Sequence, residues 1–238
     1  MGDYNPESIK KLFRAVQNVV PPSFPKDSWY LIVATMLASI SRGNAVGELF
    51  QYVTADSSVD YKRKVSQRLR EMILKSWTLI GMPRAISASY ALQAADKDGD
   101  SAVEHQRVDV VLQPDLVMRR SKDWFAKTFQ EDEQAIFDRF SAHKEMEWAL
   151  RYVVYGLFLA DLSVISPIEN EFIVLASVMS VGGSPTLSHF KALRRLVISA
   201  PDAEAFQNIC EMVAQWAGHD TSAWPRAKEV EKYFPANL

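Results

Sequence analysis

Apolar residues recur every three or four positions through nearly the whole chain, and glycine or proline cuts the pattern at short intervals. At 3.6 residues per turn such positions fall on one face of an α-helix, so the chain reads as many short helices that must bury their faces on each other. Ile9, Leu12, Phe13, Val16 and Val20 form the first face, opened by the capping residue Asn5 with Pro6 in the first turn and closed by Pro21-Pro22. A second helix is expected from about Ser28 to Gly43 and a third from about Ala45. A fourth turns Val65, Leu69, Met72, Ile73, Ser76 and Ile80 inward. Gly81-Met82-Pro83 ends it, and another runs through Tyr90 and Leu92 to the polar stretch Asp96-Lys97-Asp98-Gly99-Asp100-Ser101.

The second half has the same character, with helices expected around Trp124 to Phe129, Asp132 to His143 and Glu145 to Leu159. Ser166-Pro167-Ile168-Glu169 is a capping box with proline at the first helical position, the sharpest helix start in the chain. Its helix is expected to reach Val181. Gly182-Gly183-Ser184-Pro185 restarts another through Leu196, and Pro201-Asp202 opens a last one ending near Gly218. No segment alternates with the period of a strand. The reading is all-α, a single domain over 1–238.

Composition narrows the function classes. With 238 residues, 48% of them hydrophobic, the chain can bury a full core. A formal charge of −2 demands neither nucleic acid nor an anionic membrane as partner. Cys210 is the sole cysteine, so no internal disulfide forms, and a free cysteine is most often a buried small hydrophobe. Met1 to Asn5 has no basic or apolar leader character, and the most apolar run, Trp29 to Ile40, is too short to span a bilayer. A cytoplasmic protein is expected. The terminal Ala236-Asn237-Leu238 has a loose likeness to a peroxisomal address, which keeps that compartment as the alternative.

The two glycine- and proline-broken helix pairs can be laid over each other. Glu71-Met72-Ile73 through Ser89-Tyr90 matches Glu171-Phe172-Ile173 through His189-Phe190, which divides the chain into repeat halves of about 1–115 and 116–238. Each half offers an acid near the start of one helix and a polar side chain on the next. A break between the helices lets them cross, so that acid and polar group can approach.

Tyr155-Gly156, Ser166-Pro167-Ile168-Glu169-Asn170-Glu171-Phe172-Ile173 and Gly182-Gly183-Ser184-Pro185-Thr186-Leu187-Ser188-His189 together resemble the signature of the alkyl hydroperoxidase D-like and carboxymuconolactone decarboxylase superfamily. The likeness covers roughly 65 to 195. It implies an all-helical fold, helix-packed oligomers, and either thiol peroxidase or lactone-acid decarboxylase chemistry. The peroxidase branch places two cysteines three apart, the second four residues before the histidine. Those positions here hold Gly182 and Pro185, so no thiolate nucleophile or resolving partner exists. The upstream acid of that branch falls on Asn170, with Glu171 one residue nearer the histidine.

The decarboxylase branch needs no cysteine. There His189 is the candidate general acid or base, with Glu171 fixing its tautomer, because an imidazole titrates near neutrality. Arg84, just past the first break, is the candidate fork for a substrate carboxylate, and Ser89, at the place His189 takes in the other half, is the second candidate substrate contact. Each has an ordinary alternative: a lone histidine is more often structural, Glu171 can serve the helix N-terminus, and Arg84 can form an oligomer salt bridge. Asp96 to Asp100 opens like a calcium loop, but Ser101 stands where glycine belongs and Arg107 where a bidentate glutamate belongs. His105, His143, His189 and His219 have no short metal-ligand spacing, so neither a metal nor a cofactor is expected.

Two readings follow. One is a cofactor-free enzyme doing acid/base chemistry (decarboxylation, isomerisation or ring opening) on a small organic acid or lactone. The other is a non-catalytic oligomeric or binding protein of the same fold. A homo-oligomer, as a dimer, is expected in both.

Overall fold

The computed structural model describes residues 5–97, 107–182 and 185–234. It is 75% helical, and among the described residues no strand forms, as the all-α reading requires. The order is α1 (Pro6–Val19), α2 (Trp29–Ser39), a 3-10 turn at Gly43–Ala45, α3 (Val46–Val53), α4 (Val59–Ile80) and α5 (Met82–Ala95). Then come α6 (Val108–Val111), α7 (Pro114–Thr128), a 3-10 turn at Gln130–Asp132, α8 (Glu133–Asp138) and α9 (Lys144–Trp148), which continues into a π-helix over Ala149–Leu159. The chain closes with α10 (Pro167–Ser180), α11 (Pro185–Arg195), α12 (Ala200–Trp216) and a 3-10 turn at Ala227–Tyr233. No helix among the described residues is long and apolar enough to cross a membrane.

Local signals explain most boundaries. Asn5 accepts a hydrogen bond from the Glu7 N–H at 2.9 Å, which caps α1. At α10 the capping box is complete: Ser166 N–H donates to Glu169 Oε2 at 3.0 Å, and Glu169 N–H donates to Ser166 Oγ at 3.4 Å. α4 ends at Gly81 and α10 is followed by Gly182, with φ of 87° and 70°, the left-handed region in which glycine alone carries no Cβ penalty.

α2 and α10 form the centre. Tyr30 to Ser39 and Glu169 to Met179 are buried without interruption, so both helices are covered on all sides, as a helix with no polar face must be. α10 packs on α2, α4 and α11, and α12 closes over α2. A second apolar cluster, including Trp124, Phe125, Phe129, Phe137, Tyr155, Leu159 and Val174, joins α7, α8, the π-helix and α10.

The sequence differs from this picture in several places, among them α6, which carried no expectation, and α2, which ends at Ser39 rather than near Gly43. α7 begins at Pro114, ten residues before the start expected near Trp124. The helix expected over Asp132 to His143 holds only Glu133–Asp138. Glu145 to Leu159 is helical but winds as a π-helix over most of its length, with Ala160 N–H bonding the Tyr155 carbonyl five residues back at 2.7 Å. The turn at Ala227–Tyr233 carried no expectation. Asp98 to Ser101, His105, Gly183-Ser184 and the terminal Ala236-Asn237-Leu238 lie outside the described residues.

Candidate functional site

α10 carries three consecutive polar residues into the protein interior, and each meets a different neighbour. Glu169 forms a buried ion pair with Arg68 of α4, which also bonds the Tyr30 hydroxyl. Asn170 is fully buried, and neither its amide oxygen nor its amide nitrogen has a hydrogen-bond partner. Glu171 is fully buried too, and its Oε1 lies 2.7 Å from His189 Nδ1 on α11. The Gly182 break turns α11 back along α10, so that residues eighteen apart in sequence meet.

The dyad sits against the second apolar cluster. The Phe129 ring and the imidazole meet edge to face, with centroids 5.5 Å apart at 78°. Tyr155 of the π-helix packs on Phe125 at 4.4 Å and on Phe129 at 6.2 Å, and burial, helped by the Glu171 charge, pushes its phenol above the ordinary range. Burial raises the Glu171 carboxyl above its usual value, and the neighbouring imidazole pulls the other way. The pair therefore holds one proton in a short bond: the ring N–H donates to a carboxylate, or the acid O–H donates to a bare ring nitrogen. Glu171 Oε2 is buried with no partner, whereas His189 keeps 5% of its surface exposed. Its Nε2 makes no hydrogen bond among the described residues, which leaves that nitrogen available for proton transfer.

The structure brings together two of the four expected site residues. Arg84 instead lies 3.2 Å from Ser41 Oγ, near the end of α2, as a hydrogen-bond donor at the surface. Ser89 is exposed on α5, which packs chiefly on α2, α3, α4 and the Gly43–Ala45 turn. In the first helix pair the acid and the later polar group do not meet. Glu71 is buried and bonds Arg107 at 2.5 Å.

Three features near the dyad carried no expectation: Asn170 as an unpartnered amide, Tyr155 as the ring beside Glu171, and the π-helix that delivers it. A π turn often marks a functional site, but its i−5 pairing has no local sequence signature. A hollow of about 530 Å³ opens at the α1–α2 turn, lined by residues including Gln17, Pro21, Phe24, Lys26, Asp27 and Trp29, and none of the four expected residues borders it. Cys210 is buried and its thiol is pushed well up by burial, so it is a packed hydrophobe.

Comparison with family models, with curated proteins and with solved structures finds no match to this chain.

Proposed function

We propose that the chain is a cofactor-free acid/base enzyme acting on a small organic acid or lactone, with His189 as the general acid or base and Glu171 as the group that orients it. One observation carries this reading: a buried carboxylate grips Nδ1 of an imidazole at 2.7 Å, so that only Nε2 is left to exchange a proton. The unpartnered Glu171 Oε2 and Asn170 amide beside it support the same view. Buried polar atoms without partners cost stability, and a role in binding or catalysis accounts for their being kept.

The test uses solvent exchange. A panel of 3-oxo acids and γ-lactone acids, incubated with enzyme in D2O, is followed by NMR for conversion or for exchange of the acidic C–H. Wild type should act on at least one member, and His189→Gln should lower that rate on the order of 10² to 10⁴-fold with an unchanged melting temperature. A His189→Gln variant that keeps full activity removes the residue from the chemistry.

A second reading, a non-catalytic scaffold, is favoured by the full burial of Glu171 and by the T-shaped packing of Phe129 on the imidazole. In that case the dyad is a strut between α10 and α11. Its removal should then cost about 1 to 3 kcal/mol of stability. Self-association is part of both readings. Met82, Ile86 and Tyr90 stand exposed one helical turn apart on α5, an apolar stripe suited to a second copy.

A further inference from the structure

A second cluster of buried charge lies apart from the dyad, where α4, α7 and the end of the π-helix meet. Glu71 Oε1 takes Arg107 at 2.5 Å and Lys75 at 3.7 Å, while Asp161 Oδ2 lies 3.3 Å from Arg107 and 3.6 Å from Arg120. Lys75 has no exposed surface, and its ammonium donates to the carbonyls of Phe158, Leu159 and Asp161 at 2.9, 3.1 and 2.6 Å. Burial lowers Lys75 to about 8, so at neutral pH it is still mostly charged. Ser163 and the two arginines hold the Asp161 carboxyl below its usual range, although burial opposes them. Among the described residues three cations therefore face two carboxylates, and one positive charge is left without a counter-charge there in a poorly hydrated place.

The unmatched charge coincides with unmatched donors. Arg120 Nη1 is buried and its N–H groups find no acceptor within hydrogen-bond reach, Asp161 being too distant at 3.6 Å. Its neighbour Ser121 and, one turn further along α7, Trp124 are 1% and 3% exposed, and Ser121 Oγ and Trp124 Nε1 also have no acceptor. Spacings of three and four residues place all three side chains on one face of α7. Arg120 alone keeps a solvent route, with 26% of its side chain exposed.

We propose that this face of α7 is a binding site for a small monocarboxylate, whose oxygens accept from Arg120, Ser121 and Trp124 and whose charge balances the Lys75, Arg107 and Arg120 cations. A water molecule could fill the acceptor role but not the charge. A phosphate, carrying roughly one and a half charges at neutral pH, would overshoot it. The planar guanidinium and a two-oxygen carboxylate match in shape as well as charge.

Calorimetric titration of the full chain with sodium acetate and sodium benzoate at pH 7, ionic strength held with sodium chloride, tests the site. One saturable equivalent is expected for at least one of the two. Acetamide and benzamide, alike in shape and uncharged, should give no heat, and inorganic phosphate should bind at least tenfold more weakly. Arg120→Gln should lose tenfold or more in affinity, with smaller losses for Ser121→Ala and Trp124→Phe. Absence of saturable binding by either carboxylate overturns the site, and so does unchanged affinity in all three variants; phosphate binding as tightly as the carboxylate overturns the ligand class. Should Arg120→Gln fail to fold by circular dichroism, Trp124→Phe, which keeps the packed ring, carries the same comparison. His189→Gln should bind the carboxylate as wild type does, so this site and the acid/base reading can fail separately.

Discussion

Lys75 is a buried cation whose surroundings oppose its charge, and its titration should show in the stability of the protein. Burial lowers it from 10.5 to about 8, which means that folding disfavours the charged ammonium. Between those two values the unfolded chain binds more protons than the native one, so stability rises with pH in this window. The penalty is complete below about 8 and gone above 10.5, and its size is about 3 kcal/mol at 1.36 kcal/mol per unit. Unfolding in urea at several pH values, compared with Lys75→Met, should show the difference between the two proteins moving in favour of wild type as pH rises from 8 to 10.5. A constant difference would place the ammonium in better solvated surroundings than its burial implies. Cys210 has the simpler expectation. Its thiol is fully buried and pushed well up, so peroxide consumption with a dithiol reductant should be absent in wild type and unchanged in Cys210→Ser.

At the scale of the helices, the π-helix and α7 approach so closely that Gly156 admits no side chain. A Cβ there would lie 2.5 Å from Val117 Cγ1 and 2.8 Å from the Val117 carbonyl oxygen. The methyl can be relieved only by moving backbone, so Gly156→Ala should destabilise by about 1 to 3 kcal/mol in denaturant unfolding. The same change at Gly182, which has open space around it but φ of 70°, should cost about 1 kcal/mol through conformation alone. These two glycines mark where the sequence was legible and where it was not. Gly182, like Asn5, Gly81 and the Ser166–Glu169 box, acts through its own backbone, so a local pattern foretells it. Gly156 acts through Val117, and the π winding around it is secured by Lys75 from α4, contacts that no local period encodes. The Pro114 start of α7 carries a local signal of the same kind, proline at a first helical position. The dyad followed the same division. Glu171 and His189 met because a glycine break folds one helix back on the other, whereas Arg84 and Ser89 rested on the halves behaving alike. In the first half Glu71 turns to Arg107, an ion pair that only the tertiary fold assembles.

On the whole molecule, the residues left outside the core decide how copies meet. α5 buries Ala85, Ala88 and Leu92 against its neighbours, while Met82, Ile86 and Tyr90 are 47%, 41% and 68% exposed on the other side. Those three positions are four apart, so they drift little around the axis and form a continuous strip. Ser89 stands on this outer side, and Arg84, the third residue of the helix, bonds Ser41 at its edge. An apolar strip rimmed by a serine and an arginine is the make-up of an interface core with a polar border. A two-fold axis across α5 would pair the strip with itself, since a self-complementary patch is what a C2 dimer requires. Sedimentation velocity at micromolar concentration should therefore show a dimer for wild type, with an interface above about 1,000 Å² once solved. Ile86→Glu places a charge in the middle of the strip at an exposed position, so it should yield a monomer with little change in the monomer's own fold. A wild type that sediments as a monomer across that range removes the dimer, and a dimer that survives Ile86→Glu moves the interface to another face.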